Sequence, residues 1–386
     1  MSAPAARSPA GTTALGEEIA RQIAQTGPIT VADYMERCLL HPRLGYYTTH
    51  EPFGAAGDFV TAPEISQMFG ELIGLWAADT WMRLGSPASF VLAELGPGRG
   101  TMMADALRAT AIVPGFHEAA HVVLVEASAR LRAKQADTLQ RFDVSWAASF
   151  DDLPAGPLIL LANEFFDALP IRQFLRTPEG FAERMVGLGG DGALAFGLRP
   201  AARLDAHAEA VLRQAPAGAL LEICPAGLAI AERLGGRLAA SGGAALLIDY
   251  GHAGGFGDTL QALREHAFDD ALAHPGEADL TAHVDFGALA RAAQANGARA
   301  FGPVMQGALL ERLGLETRAE RLKRDADQTV RAAIDAARTR LAGSGEGQMG
   351  ALFKALALVD PAFGIPTGFA PDEAFPEGST GTEGST

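Results

Sequence analysis

Apolar and polar positions change their period along the chain, and the changes divide it into segments. From Ala14 to Gln25 the residues Leu15, Ile19 and Ile23 fall four apart, the stripe of an amphipathic helix. Thr30-Val31-Ala32-Asp33 reads as a capping box that opens a second helix through Leu40, and Pro42 stops it. A glycine-punctuated stretch follows from Phe53 to Ala62. Pro63 then suits the first turn of a helix carrying Ile65, Met68, Phe69, Leu72 and Trp76 on one face and ending at Gly85.

Beyond Ser89 the pattern becomes short, unbroken apolar runs: Ser89–Glu94, His121–Glu126, Val144–Ala147, Pro157–Ala162 and Ala244–Tyr250. Helical stretches Thr101–Ala109 and Ser128–Arg141 separate the first three. Such runs predict a parallel sheet buried on both faces by helices, a Rossmann-like α/β fold. The spacing breaks between the fourth and fifth runs. There, Arg172–Leu198 alternates around Gly189-Gly190-Asp191-Gly192, a hairpin signal, while Leu204–Arg213 and Ala226–Ala240 look helical. Further on, Val284-Asp285-Phe286 opens a helix ending at Asn296-Gly297, and Arg299–Val304 reads as a last strand. Helical patterns are expected over Gln306–Leu341 and Met349–Val359.

The expected layout is therefore a disordered N-terminus (1–13), an N-terminal helical segment (14–85) and a main α/β domain from 86–170 and 241–360. An α+β insertion between the fourth and fifth strands (171–240) would wall the substrate side, and 371–386 reads as a disordered acidic tail.

Composition refines this picture. The chain is 48% hydrophobic and 20% charged, as a globular protein is, and no run reaches the roughly 20 apolar residues of a bilayer span. With 46 acids against 31 bases the net charge is −15, which argues against a nucleic-acid partner and is compatible with a basic protein surface. Cys38 and Cys224 make no disulfide framework, and the nine histidines show no ligand spacing, so no metal is expected. The first residues lack the order of a signal peptide, and with one basic residue, Arg7, make a poor mitochondrial presequence; a cytoplasmic location is expected.

The chemistry concentrates at strand ends. Glu94-Leu95-Gly96-Pro97-Gly98-Arg99-Gly100 ends the first strand, where backbone N–H groups approach a ligand unobstructed. Only Arg99 separates Gly98 from Gly100, which departs from the G-x-G-x-x-G of dinucleotide sites. Glu94 would repel a pyrophosphate but suits an ammonium group, so the turn fits S-adenosylmethionine. Glu126, at the end of the second strand, suits ribose hydroxyls, or is simply an exposed strand-end acid. Asn163-Glu164-Phe165-Phe166-Asp167-Ala168-Leu169-Pro170 ends the fourth strand. In methyltransferases acting on nitrogen this position faces the transferred methyl, and its two acids could hold a cationic substrate. An N-cap with Phe165 and Phe166 in the core is the competing reading.

Taken together, these blocks resemble the MidA-type methyltransferases. The resemblance is carried by Leu44–Tyr47, Gly57–Ser66, Glu94–Thr101, Asn163–Pro170, Asp249–His252, Asp279–Phe286 and Met349–Lys354, in order over about residues 30–360. It implies a class I methyltransferase fold and protein arginine methylation. Eukaryotic members act on an arginine of the 49-kDa subunit of respiratory complex I and assist its assembly; this chain reads as a bacterial homologue. It also implies that Glu94, Gly96, Gly98 and Gly100 touch the methionine part of the cofactor and Glu126 its ribose. Asp58, Thr61 and Glu64 would lie in a segment folding over the cofactor, although Thr61 and Glu64 read equally well as helix N-terminal groups. Asn163, Glu164, Asp167 and His283 are the candidate catalytic residues, with Glu164 localising the guanidinium charge. His283 could instead be a core histidine, and Asp285 only an N-cap. Methylation of another amine or amide, and a cofactor-binding assembly chaperone with little turnover, stay open.

Overall fold

The computed structural model describes residues 13–49, 61–201, 204 and 206–376. Seven strands build the main sheet: β1 (Phe90–Leu95), β2 (Ala120–Val125), β3 (Val144–Ala147), β4 (Leu158–Asn163), β5 (Gly243–His252), β6 (Arg299–Met305) and β7 (Phe353–Val359). Their spatial order is β3-β2-β1-β4-β5-β7-β6, and Val284–Asp285 adds a short parallel pairing to the end of β5. Only β7 runs antiparallel to its neighbours. The register sets Glu94 opposite Leu161 and Ile248 opposite Asn163, so β1, β2, β4 and β5 end along one edge. Ligands bind beyond that edge in doubly wound sheets.

The helices are α1 (Ala14–Thr26), α2 (Val31–Leu40), α3 (Gln67–Arg83), α4 (Thr101–Thr110), α5 (Ala129–Thr138), α6 (Ala206–Gln214), α7 (Pro225–Ser241), α8 (Phe286–Ala295), α9 (Gln306–Arg312), α10 (Leu315–Lys323) and α11 (Gln328–Ala342). One core lies between the sheet and α3, α4 and α9–α11. A second lies on the opposite face under α7 and α8. No helix among the described residues is long and apolar enough to cross a membrane.

Several expectations change. Residues 353–359 form a strand, not a helix: Phe353, Ala355, Ala357 and Val359 enter one core while Leu356 and Leu358 enter the other. An apolar run buried on both faces has no polar alternation to reveal its period, and its Ala and Leu residues favour helices locally. The 306–341 stretch is three helices, broken at the left-handed Gly314 and restarted by the Asp327 N-cap. The helix expected from Pro63 is interrupted at Ser66, whose extended backbone and side-chain cap on Met68 start α3 afresh.

Domain limits shift as well. The insertion forms a five-stranded sheet from 172–177, 180–188, 194–200 and 220–223, and its fifth strand is Ile29–Thr30 from the N-terminal segment. Thus α1 and α2 pack on the insertion, whereas α3 packs on the main sheet. Leu220–Ile223 is too short for periodicity to expose, and α7, expected in the insertion, covers the main sheet instead. A small sheet from 261–264, 267–269 and 279–281 joins the α1–α2 core. Thr13 is a buried N-cap, and residues 371–376 are packed rather than disordered, with the Phe375 N–H donating to the Ala300 carbonyl.

Two contacts lock α3. A Cβ on Gly74 would meet Ala106 Cα at 2.5 Å, so only glycine lets α3 and α4 approach this closely. Buried Glu71 accepts from Arg318 (2.6 and 2.8 Å) and Arg108 (2.6 Å), joining α3, α4 and α10. The Arg318 side chain points inward although basic and acidic residues are interleaved along α10. Burial pushes the Glu71 carboxyl up, but the two guanidiniums outweigh it and hold it below its ordinary value. Glu71→Ala leaves Arg318 without its carboxylate while Arg108 keeps Asp105 at 2.5 Å, and should cost about 1–3 kcal/mol in denaturant unfolding. The contribution of Glu71 is complete above the unfolded carboxylate value and is lost as pH falls through its lower folded value. The variant should therefore show a shallower acid-side stability slope than wild type.

Candidate active site

The turn after β1 is shaped by close packing. Gly96 has φ 59°, and a Cβ there would lie 2.7 Å from Phe165 Cδ2, so the turn and the loop after β4 meet backbone to ring. Gly98 and Gly100 also have positive φ, and Gly100 caps α4. Glu94 is buried, its Oε2 has no hydrogen-bond partner, and burial pushes its carboxyl up to about 8. An unpaired buried carboxylate is costly unless a cation meets it, which fits an ammonium-bearing ligand.

Glu126 stands just beyond β2, its Oε1 accepting from the Ser128 N–H (2.7 Å) and its Oε2 from Gln135 Nε2 (3.3 Å). Each oxygen keeps a free lone pair for a hydroxyl. Burial raises this carboxyl as well. Gln135 was not singled out in the sequence. Fully buried, it also donates to the Gly98 carbonyl (2.8 Å) and accepts from Trp146 Nε1 (2.8 Å), tying the glycine turn to Glu126. A glutamine inside a helix pattern gives no signal of that bridge.

Thr61 caps the one-turn helix Ala62–Ile65 without a side-chain bond, so its buried hydroxyl does no capping. Glu64 likewise turns away from the cap. It accepts from Thr101 Oγ1 (2.6 Å) and faces Arg99 (3.5 Å), both at the glycine turn. At the other end, the Ala62 N–H donates to Glu164 Oε1 (3.1 Å). This strap, the glycine turn, Glu94, Asn163 and Glu164 enclose one small cavity. Asp58 lies outside the described residues.

The loop after β4 holds the acids. Glu164 has φ 52°, a conformation costly for a residue with a Cβ, and Asn163 Nδ2 donates to its Oε1 (3.0 Å). Burial, then neighbouring Asp167, pushes Glu164 up to about 7. Buried Asp167 is pushed up to about 6 and its Oδ1 has no partner. The loop is fixed by a residue the sequence reading had only inside a motif. Asp249 Oδ2 accepts the consecutive N–H groups of Phe165, Phe166 and Asp167 at 3.2, 3.1 and 3.2 Å, and Oδ1 accepts from the Tyr250 N–H at 2.9 Å. An acid near the end of β5, beside β4, was the available signal.

His283 is set apart. Its half-buried ring meets Tyr250 edge-on at 5.5 Å, its backbone N–H donates to Thr259 Oγ1, and burial lowers its pKa below the usual 6.5. It lines a different, larger cavity. Asp285 caps α8 through the Ala288 N–H (2.9 Å). The structure thus gathers Thr61, Glu94, Gly96, Gly98, Asn163 and Glu164 around one space, sets Asp167 in the loop after β4 and Asp249 on the neighbouring β5, and places His283 edge-on to Tyr250 at the larger cavity. Among the described residues, Glu94 Oε2 and Asn163 Oδ1, both at the small cavity, are buried side-chain atoms without a partner, while the Asp167 carboxyl and the Tyr250 hydroxyl lie beside one another. Orphaned polar atoms at neighbouring strand ends suit a ligand site better than a core.

The chain is similar to known proteins. A family model described as S-adenosyl-L-methionine-dependent methyltransferase matches residues 72–304. The mitochondrial protein arginine methyltransferase NDUFAF7 of Rattus norvegicus is 40% identical over 323 residues, covering 77% of this chain and 73% of that protein. The Homo sapiens protein of the same name is 39% identical over 325 residues, covering 77% and 72%. A Burkholderia thailandensis structure described as a methyl transferase bound to S-adenosyl-homocysteine superposes with a TM-score of 0.79 at 29% identity, covering 93% of this chain and 95% of that one.

Glu94→Gln removes a buried charge that has no protein partner. It should leave the melting temperature unchanged or higher, yet weaken S-adenosyl-homocysteine binding about ten-fold or more by calorimetry. Unchanged affinity would mean that Glu94 does not meet the ligand's ammonium.

Proposed function

The chain belongs to the S-adenosylmethionine-dependent methyltransferase family, and from that premise we propose that its methyl acceptor is an arginine of a protein. We propose further that this protein is the 49-kDa-type subunit of respiratory complex I, that methylation supports its assembly, and that the reaction takes place in the cytoplasm of a bacterium.

The observation that carries the acceptor class is the acid cluster. Glu164, Asp167 and Asp249 are buried together, and Glu164 and Asp167 are raised to about 7 and about 6, with no cation among their hydrogen-bond partners. A guanidinium entering there would pair with carboxylates already stripped of water, and its planar fork matches them. The names of the relatives point the same way.

The roles follow from position. Glu94 would hold the cofactor's ammonium, the turn Gly96–Gly100 its methionine part, and Glu126 its ribose; Thr61 would contribute to the covering segment, the role the resemblance also implies for Asp58. Bound S-adenosylmethionine supplies a methyl on a sulfonium, a leaving group that departs neutral. Glu164, helped by Asn163 and Asp167, would draw the guanidinium charge to one end and leave the other nitrogen's electron pair free to attack. With the methyl supplied from the cofactor and the C–S electron pair left on its sulfur, the Glu164 carboxylate would accept the proton shed by the methylated nitrogen. Much of the acceleration would come from this alignment. His283, edge-on to Tyr250, is better read as a support for that ring than as a reacting group.

Labelled methyl transfer into a lysate, followed by identification of the modified residue, tests the reading. Wild type should label arginine in one protein of complex I and Gly98→Val should label none; no labelling by wild type would favour the chaperone alternative. Glu164→Gln should lower kcat at least about 100-fold while cofactor affinity changes little. Because carboxyls raised to about 7 and about 6 must ionise to receive the guanidinium, kcat/KM for the acceptor should fall as pH drops below about 7 and level off above it. A flat profile from pH 5.5 to 8.5 would remove these groups from the acceptor site.

A further inference from the structure

A second cavity, of about 680 Å³, lies on the other side of the acid loop. Its walls are Phe174 and Leu221 of the insertion sheet, Val211 of α6, Leu228 of α7, and Leu289 and Ala292 of α8. Its mouth opens at exposed His207, Glu232 and Gly254. This volume is in the range of pockets that hold organic ligands or anchoring side chains.

Three wall residues are also tied directly to the acid cluster. The Phe166 N–H donates to Asp249, the Ala282 N–H donates to the Asp167 carbonyl at 2.9 Å, and the His283 ring packs on Tyr250. Phe165 and Phe166 stand perpendicular at 5.2 Å. Phe165 packs against Gly96 on the cofactor side, and Phe166 faces Gly227 and the large cavity. One loop thus carries the cofactor turn on one side, the acceptor acids in its backbone, and this cavity on the other side.

Several polar groups of the wall are engaged within the protein: Arg172 pairs with Glu183 at 2.8 Å, Glu222 accepts from Gln173 at 2.7 Å, and Asp285 is the α8 cap. His207, Glu232 and Arg291 add polar groups to the lining. Most of the remaining wall is apolar side chains, a surface that suits an apolar side chain whose own backbone meets the polar groups.

We propose that this cavity anchors a large apolar side chain of the substrate polypeptide, a fixed number of residues from the arginine that enters the acid cluster. The proposal rests on the protein-arginine reading above. It makes the insertion and α6 a device that selects which arginine is methylated.

The test uses full-length protein saturated with S-adenosyl-homocysteine and fluorescent nonapeptides with a central arginine, each carrying Phe or Ser at one flanking position. One position should show tighter binding with Phe by about ten-fold or more. Val211→Trp and Ala292→Trp, which fill the cavity from two different helices, should each erase that difference; thermal melting checks their folding. In wild type, benzoylphenylalanine at the same peptide position should photo-cross-link to α6, α7 or α8, which needs no variant. No positional preference, a preference that survives both substitutions, or cross-links elsewhere overturns the proposal. Replacing the central arginine by citrulline separates the two claims. If citrulline peptides bind as well as arginine peptides, the acceptor reading fails, while the Phe-against-Ser difference still decides the cavity.

Discussion

The active edge depends on one carboxylate. Asp249 accepts three consecutive N–H groups from the loop after β4, and those hydrogen bonds hold Glu164 in a left-handed conformation it would not choose alone. Because β5 lies beside β4, the anchoring group and the loop are neighbours through sheet pairing although they are 82 to 84 residues apart in sequence. Strand register fixes where Asp249 sits, Asp249 fixes the loop, and the loop fixes Glu164, Phe165, Phe166 and Asp167 on their respective sides.

This arrangement places several acids where water cannot reach them. Burial raises Glu94, Glu164 and Asp167, and among the described residues no cation hydrogen-bonds to them. Elsewhere the same chain deals with a buried acid differently, surrounding Glu71 with two guanidiniums and holding its carboxyl low. Glu71 fastens helices, whereas the strand-end acids are left without such partners. Around that edge α3 and α4 meet closely through Gly74 and Ala106, and Gln135 donates to the Gly98 carbonyl of the turn.

The cofactor turn and the acid loop are joined by the strap at Thr61–Ile65. Glu64 bonds to Thr101 and faces Arg99, and the Ala62 N–H bonds to Glu164. One short helix thus contacts both the glycine turn and Glu164. The insertion takes its place on the opposite side of Phe166, and because Ile29–Thr30 completes its sheet, the N-terminal segment is part of that wall rather than a separate appendage.

Much of this was legible in the sequence because it is local. Unbroken apolar runs located β1 to β5, the capping box located α2, and Glu94 with its glycines stood out because a strand end, an acid and a tight turn are contiguous. The acids of Asn163–Asp167 stood out for the same reason, as a contiguous polar cluster at a strand end. Tertiary structure alone decided the rest. Asp249 and Gln135 act on backbone groups far away in sequence, β7 is a strand only because β5 and β6 flank it, and His283 lines the larger cavity rather than the cofactor space. Periodicity reports how one segment meets an average interior. It carries no information about which distant segment supplies the partner, and the partners are what make this site.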